Sequence, residues 1–90
     1  MTGDSTIAVH NVVPGAGAVV IHCDVELNGV RICSVSLRRG RHPLSTYVNL
    51  PHIWRAGRWW PAVEIVDNEL LEAVRRAVVN AALEVQRYLA

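Results

Sequence analysis

The sequence predicts an α+β domain: an antiparallel β-meander of about five strands followed by one C-terminal helix. Three observations predict it. Apolar and polar residues alternate from Ala18 to Leu27, the period of a half-buried strand. Asn28-Gly29 follows at once, the strongest short hairpin signal, because both central residues of a type I′ turn need positive φ. From Leu70 onward the apolar residues recur at helical spacing instead.

Each element has its own warrant. Ile7 to Val13 reads as a first short strand, and Pro14-Gly15-Ala16-Gly17 as the loop after it. In the second strand Val19, Ile21, Cys23, Val25 and Leu27 take one face. Val30 to Leu37 returns antiparallel, with Leu27 opposite Val30, Glu26 opposite Arg31 and Val25 opposite Ile32. Glu26 and Arg31 can pair across the strands. The apolar phase changes after Ile32, which a bulge near Cys33 and Ser34 explains, as would an end apolar on both faces. Arg38-Arg39-Gly40-Arg41-His42-Pro43 is a turn, and Leu44 to Leu50 a fourth strand. Pro51 to Arg58 reads as a loop that carries Trp54 and Arg55. Trp59 to Val66 reads as a fifth strand, whose alternation sends one of Trp59 and Trp60 inward. Pro61 lacks an N–H and suits an edge. Asp67 is an N-cap, and the helix runs to about Tyr88. Its stripe is Leu70, Leu71, Val74, Ala77, Val78, Ala81, Val85 and Tyr88.

The chain has 90 residues, 51% hydrophobic and 19% charged. That composition excludes intrinsic disorder and allows one domain, 1–90, with 1–6 a flexible N-terminus. A chain of this size buries only about 60–65% of its unfolded surface, so a homodimer is expected. No apolar run approaches the roughly 18 residues of a membrane helix. Residues 1–6 lack an apolar stretch and any Lys or Arg, so no secretory signal is read there and a cytoplasmic location is expected.

The net charge of +1 hides a segregation. Residues 31–63 hold six arginines (Arg31, Arg38, Arg39, Arg41, Arg55, Arg58) and no acid, while the flanking thirds are net acidic. Local charge decides what a surface attracts within a Debye length of roughly 8 Å. All nine basic residues are Arg, whose forked guanidinium suits phosphate. Cys23 and Cys33 have no metal-ligand spacing and sit in strands as small hydrophobes. His10, His22, His42 and His52 are scattered. Neighbours His22 and Cys23 point to opposite faces, so they cannot join Cys33 around zinc. No metal and no cofactor is expected.

The order of segments resembles a known family. Asp-x-Glu-Leu-x-Gly-x-Arg-Ile (Asp24 to Ile32), Leu-x-Arg-Gly (Leu37 to Gly40), Tyr-Val-x-x-Pro (Tyr47 to Pro51), Gly-x-Trp-x-Pro-x-Val-Glu (Gly57 to Glu64) and Asp-x-Glu-Leu (Asp67 to Leu70) follow one another as in the SpoVG family. That family is named for stage V sporulation protein G, a bacterial septation regulator. The resemblance runs from about Ile7 to Ala90. It implies a meander plus helix, dimeric through the sheet, and a DNA- or RNA-binding regulator of gene expression. The basic positions it implies are Arg38, Arg39 and Arg41 in the first loop and Arg75, Arg76 and Arg87 on the helix. Where the family usually has Ser followed by basic residues, this chain has His52-Ile53-Trp54-Arg55.

The residues themselves support nucleic-acid binding. Arg side chains neutralise phosphate and release counterions, and aromatic faces stack bases. Trp54, Arg55 and Arg58 join the other arginines as candidate contacts on that ground. The alternative is a dimeric structural or protein-interaction module, since Arg and Trp also dominate protein contacts. Asp24, Glu26, His22, Cys33 and Glu64 form no nucleophile–base set, so no enzyme is expected.

Overall fold

The computed structural model describes residues 6–42 and 45–89, without the side chains of 87–89. Its strands are β1 (Ile7–Pro14), β2 (Val19–Leu27), β3 (Val30–Arg39), β4 (Thr46–Asn49), β5 (His52–Arg55) and β6 (Arg58–Pro61). One helix, α1 (Asn68–Leu89), follows them. β1 to β4 form a four-stranded antiparallel meander in sequence order, and β5 and β6 a separate two-stranded sheet.

The β2–β3 hairpin has the expected register, Leu27 opposite Val30, Glu26 opposite Arg31 and Val25 opposite Ile32. Asn28 and Gly29 take φ of 50° and 85°, the left-handed pair that a type I′ turn demands. Thr6 closes the same end: its N–H donates to Asn28 Oδ1 at 2.8 Å, and its carbonyl accepts from Asn28 N–H at 2.9 Å. The rest of the expected flexible N-terminus lies outside the described residues.

The bulge expected near Cys33 and Ser34 is present. The register shifts between Val25–Ile32 and Cys23–Val35, and Ser34 sits at φ 62°. A second bulge, not expected, lies across β2 in β1, where the register shifts between His10 and Val13 and Asn11 takes φ 54°. Asp24 on the central strand faces both. Its Oδ2 accepts from Asn11 Nδ2 at 2.9 Å, and its Oδ1 accepts from Ser34 N–H at 3.2 Å. One carboxylate thus satisfies the Ser34 N–H that its bulge takes out of the ladder and ties down the Asn11 side-chain amide at the other.

α1 covers one face of the meander. Asp67 Oδ1 caps it, accepting from Glu69 N–H at 2.9 Å and Leu70 N–H at 3.2 Å. Val74, Val78 and Ala82, at i, i+4 and i+8, are buried against Ile21, Cys23, Val25, Ile32, Val35 and Leu37. Leu71, Ala81 and Val79 flank that row at lesser depth, and the Tyr88 side chain lies outside the described residues.

Three expectations about the fold need correction. The fourth strand is described only over Thr46–Asn49; Leu44 lies outside the described residues. Pro51 to Arg58 is not a loop, because His52–Arg55 pairs with Arg58–Pro61 around Ala56-Gly57. The fifth strand does not run to Val66; it ends at Pro61. Val63 and Ile65 still alternate inward, packed at the edge of the core, but no strand pairs with them. Alternation reports an extended chain with one buried side, not a ladder.

Candidate nucleic-acid interface

The arginines fall into separate groups. Arg55 and Arg58 face one another at the tip of the β5–β6 hairpin. Strand alternation puts them on the face of Ile53 and Trp60, and puts His52, Trp54, Trp59 and Pro61 on the other. The Arg58 guanidinium stacks over the Trp60 ring, 3.6 Å from its centroid, and that of Arg55 lies 5.6 Å away. Trp60 is oriented by its indole N–H, which donates to the Arg55 carbonyl at 2.8 Å. Two cations therefore share one aromatic ring. Among the described residues no carboxylate pairs with either.

The hairpin holds this pair because of its turn. Ala56 and Gly57 take φ of 53° and 81°, so Arg55 and Arg58 are brought directly opposite. At the root, Ala62 N–H donates to the Pro51 carbonyl at 2.9 Å. The expectation that Trp59 or Trp60 turns inward fails: neither joins the core, since the hairpin stands away from it. Trp54, expected in a loop, is in β5 and packs edge-on against Trp59, with centroids 5.4 Å apart and planes at 75°.

Arg39 and Arg41 sit at the opposite end of β4 from the hairpin. With His42 they rim a cavity of about 580 Å³ whose floor includes Leu37, Val79 and Ala82. Arg39 also donates to the Gly17 carbonyl at 2.8 Å, tying the first loop to the third strand. Arg38 is opposite Tyr47 on the face that α1 leaves open; its Nε is buried and has no hydrogen-bond partner among the described residues. Arg87 lies in the last turns of α1, but its side chain is outside the described residues.

Arg75 and Arg76 on the helix are already engaged. Arg75 holds Glu72 with two hydrogen bonds, at 2.9 and 2.6 Å, and Arg76 comes within 3.8 Å of the same carboxylate. The Arg75 contact holds the Glu72 carboxyl below its ordinary range. A phosphate would have to compete with that fork. Arg38 and Arg39, expected in the turn, end β3 instead, and the hairpin-tip pair stands apart from Arg39 and Arg41 at the other end of β4.

On the open face, Glu26 lies 3.6 Å from Arg31 and 3.4 Å from His10, an exposed pair of little energetic weight. Cys23 is buried and Cys33 exposed, and both are free thiols. Burial, and behind it the Asp24 charge, pushes the Cys23 thiol up to about 11. Among the described residues no cluster of three His, Cys, Asp or Glu side chains could hold a metal ion, and no helix is long and apolar enough to cross a membrane.

Comparison with protein-family models, with curated proteins and with solved structures finds no match to the chain. The SpoVG resemblance therefore rests on the motifs and on the order of the elements that carry them.

The residue missed by sequence reasoning is Trp60, the ring that carries both arginines. Its signal was the pair of four-residue runs, His-Ile-Trp-Arg and Arg-Trp-Trp-Pro, mirrored about Ala56-Gly57.

Proposed function

We propose that the chain binds nucleic acid, as a dimeric regulator of the kind the SpoVG resemblance implies, with the hairpin tip as its principal phosphate contact. The observation that carries this reading is the Arg55–Arg58 pair held over Trp60 with no acid beside it. Two guanidiniums brought together repel one another, and a phosphate between them relieves that repulsion. Stacking on Trp60 preorganises the planar donors and lowers the entropy lost on binding. Arg39 and Arg41 form a second contact region, with Arg38 on the other face of the sheet, which a strand bent around the molecule or a partner copy would reach. The reading includes a cytoplasmic location and no catalytic step.

The test is an anisotropy titration of labelled single-stranded DNA, duplex DNA and RNA at several salt concentrations. Arg55→Glu/Arg58→Glu is expected to weaken binding and to reduce the slope of log K against log salt by about 1.4–1.8, two phosphate contacts at about 0.7–0.9 each. Arg75→Ala/Arg76→Ala is expected to change the slope little. No binding of any oligonucleotide at low salt overturns the reading. The alternative, a protein-interaction module, is favoured by one observation: Trp54 and Trp59 are 60% and 64% exposed.

A further inference from the structure

We propose that the Trp54–Trp59 face of the β5–β6 hairpin is the seat of a second copy of this chain, two hairpins meeting face to face about a two-fold axis. The inference takes dimerisation from the reading above and gives it a contact, distinct from the four-stranded sheet through which the family resemblance would place it.

The first observation is isolation. No Cα atom of β5 or β6 lies within 8 Å of β1 to β4 or of α1. Of their residues only Trp60 is partly covered. A two-stranded hairpin alone in water is marginal at best, and this one also holds Ala56 in the left-handed region. A hairpin of this kind needs a cover that the described residues do not supply.

The second observation is the separation of charge. His52, Trp54, Trp59 and Pro61 share one face with no Asp, Glu, Lys or Arg, while both arginines stand on the other. A phosphate backbone gains nothing from a face without a cation. A two-fold interface sets one patch against the same patch of the partner, so a patch of like charges would oppose itself and an uncharged one does not. The Trp54–Trp59 pair is edge-on, so each hairpin offers both an indole edge and an indole face, the complementary halves of an aromatic contact.

The third observation is area. At 60% and 64% exposure, the two indoles offer roughly 300 Å² per copy if a Trp side chain carries roughly 250 Å². That is about half of the roughly 600 Å² per partner that the smaller stable interfaces bury. The remainder is at hand. A recess of about 360 Å³ at the hairpin root, lined by Tyr47, His52, Pro61, Val63 and Leu71 with Glu64 its one charged residue, continues the same surface, and Tyr47 is 47% exposed.

The experiment is sedimentation and light scattering of the full chain from low micromolar to submillimolar concentration, with Trp emission followed over the same range. Wild type is expected at twice the chain mass of 9.9 kDa, its Trp emission moving to shorter wavelength as dimer forms. Trp54→Ala/Trp59→Ala is expected to be monomeric with the helical part of its far-UV spectrum retained, because these side chains support nothing in the core. Arg55→Glu/Arg58→Glu is expected to stay dimeric. A wild-type monomer at every concentration overturns the proposal. So does a dimer that survives loss of both tryptophans, which places the contact elsewhere. A monomer whose oligonucleotide binding is lost in Trp54→Ala/Trp59→Ala also overturns it, and makes this face a base-stacking surface. Failure of the wild type to bind any oligonucleotide bears on the nucleic-acid reading alone.

Discussion

Asp24 shows how one side chain can set the shape of a sheet. It accepts from Asn11 on one neighbour strand and from the Ser34 backbone on the other. The Asn11 bond first, then Ser34, hold its carboxyl below the ordinary range, aided by Arg31 and His10. The folded state therefore binds this proton less tightly than the unfolded chain. The resulting stabilisation is complete above the unfolded pKa of about 3.9 and is lost as pH falls through the lower folded value. Asp24→Asn can accept through only one atom, so its melting temperature is expected several degrees below wild type at neutral pH, the gap closing in strong acid. Thermal melts across pH check this. The two thiols differ as sharply. Cys33 is exposed, whereas Cys23 is buried and protonated at any mild pH. A thiol reagent near pH 8 is expected to modify Cys33 alone, with Cys23 reacting only after denaturation; mass spectrometry counts the adducts.

At the scale of elements, two type I′ hairpins differ in what supports them. Asn28-Gly29 is a preferred pair for the turn, and its strands lie in the core. Gly29→Ala puts a Cβ at φ 85° with nothing near it to clash, so its cost is conformational, about 1 kcal/mol, read from chemical denaturation. Ala56-Gly57 does the same task with a residue that resists positive φ. Ala56→Asn is expected to raise hydrogen-exchange protection in β5 and β6 while leaving the global melt nearly unchanged, because that hairpin opens independently of the sheet. In α1, Val74→Ala and Val78→Ala each empty a fully buried site and are expected to cost about 2 kcal/mol. The β2–β3 hairpin, its register, the bulge at Ser34 and the helix cap were legible, since each is a local signal. The β5–β6 hairpin was not, because Ala does not advertise a left-handed turn. The bulge at Asn11 was not, because its partner Asp24 is thirteen residues away in sequence.

The whole molecule is less compact than its length would allow. Its radius of gyration is 13.6 Å, against about 12 Å for a close-packed domain of this size. The β5–β6 hairpin keeps its Cα atoms more than 8 Å from every other element. It also divides the cationic middle third: Arg55 and Arg58 travel with the hairpin, Arg39 and Arg41 stay at the far end of β4. Binding by such a surface depends on salt more than on any single arginine. A dimer joined at the hairpins would place two arginine pairs on the outer faces of one shared element. Longer oligonucleotides are then expected to bind more tightly than short ones by more than their added phosphates explain, which titration against oligonucleotide length measures.

The sequence by itself determined the class of fold, the first hairpin with its register, the capped helix and the excess of arginine in the middle third. These follow from the two periods of side-chain direction, from turn chemistry and from counting charges, all of which act within a few residues. The tertiary structure decided which arginines stand together and that Trp54 and Trp59 lie on the uncharged side of a free hairpin. Those are relations across strands and turns. They depend on where the chain reverses and on what is left without a neighbour once the core has closed.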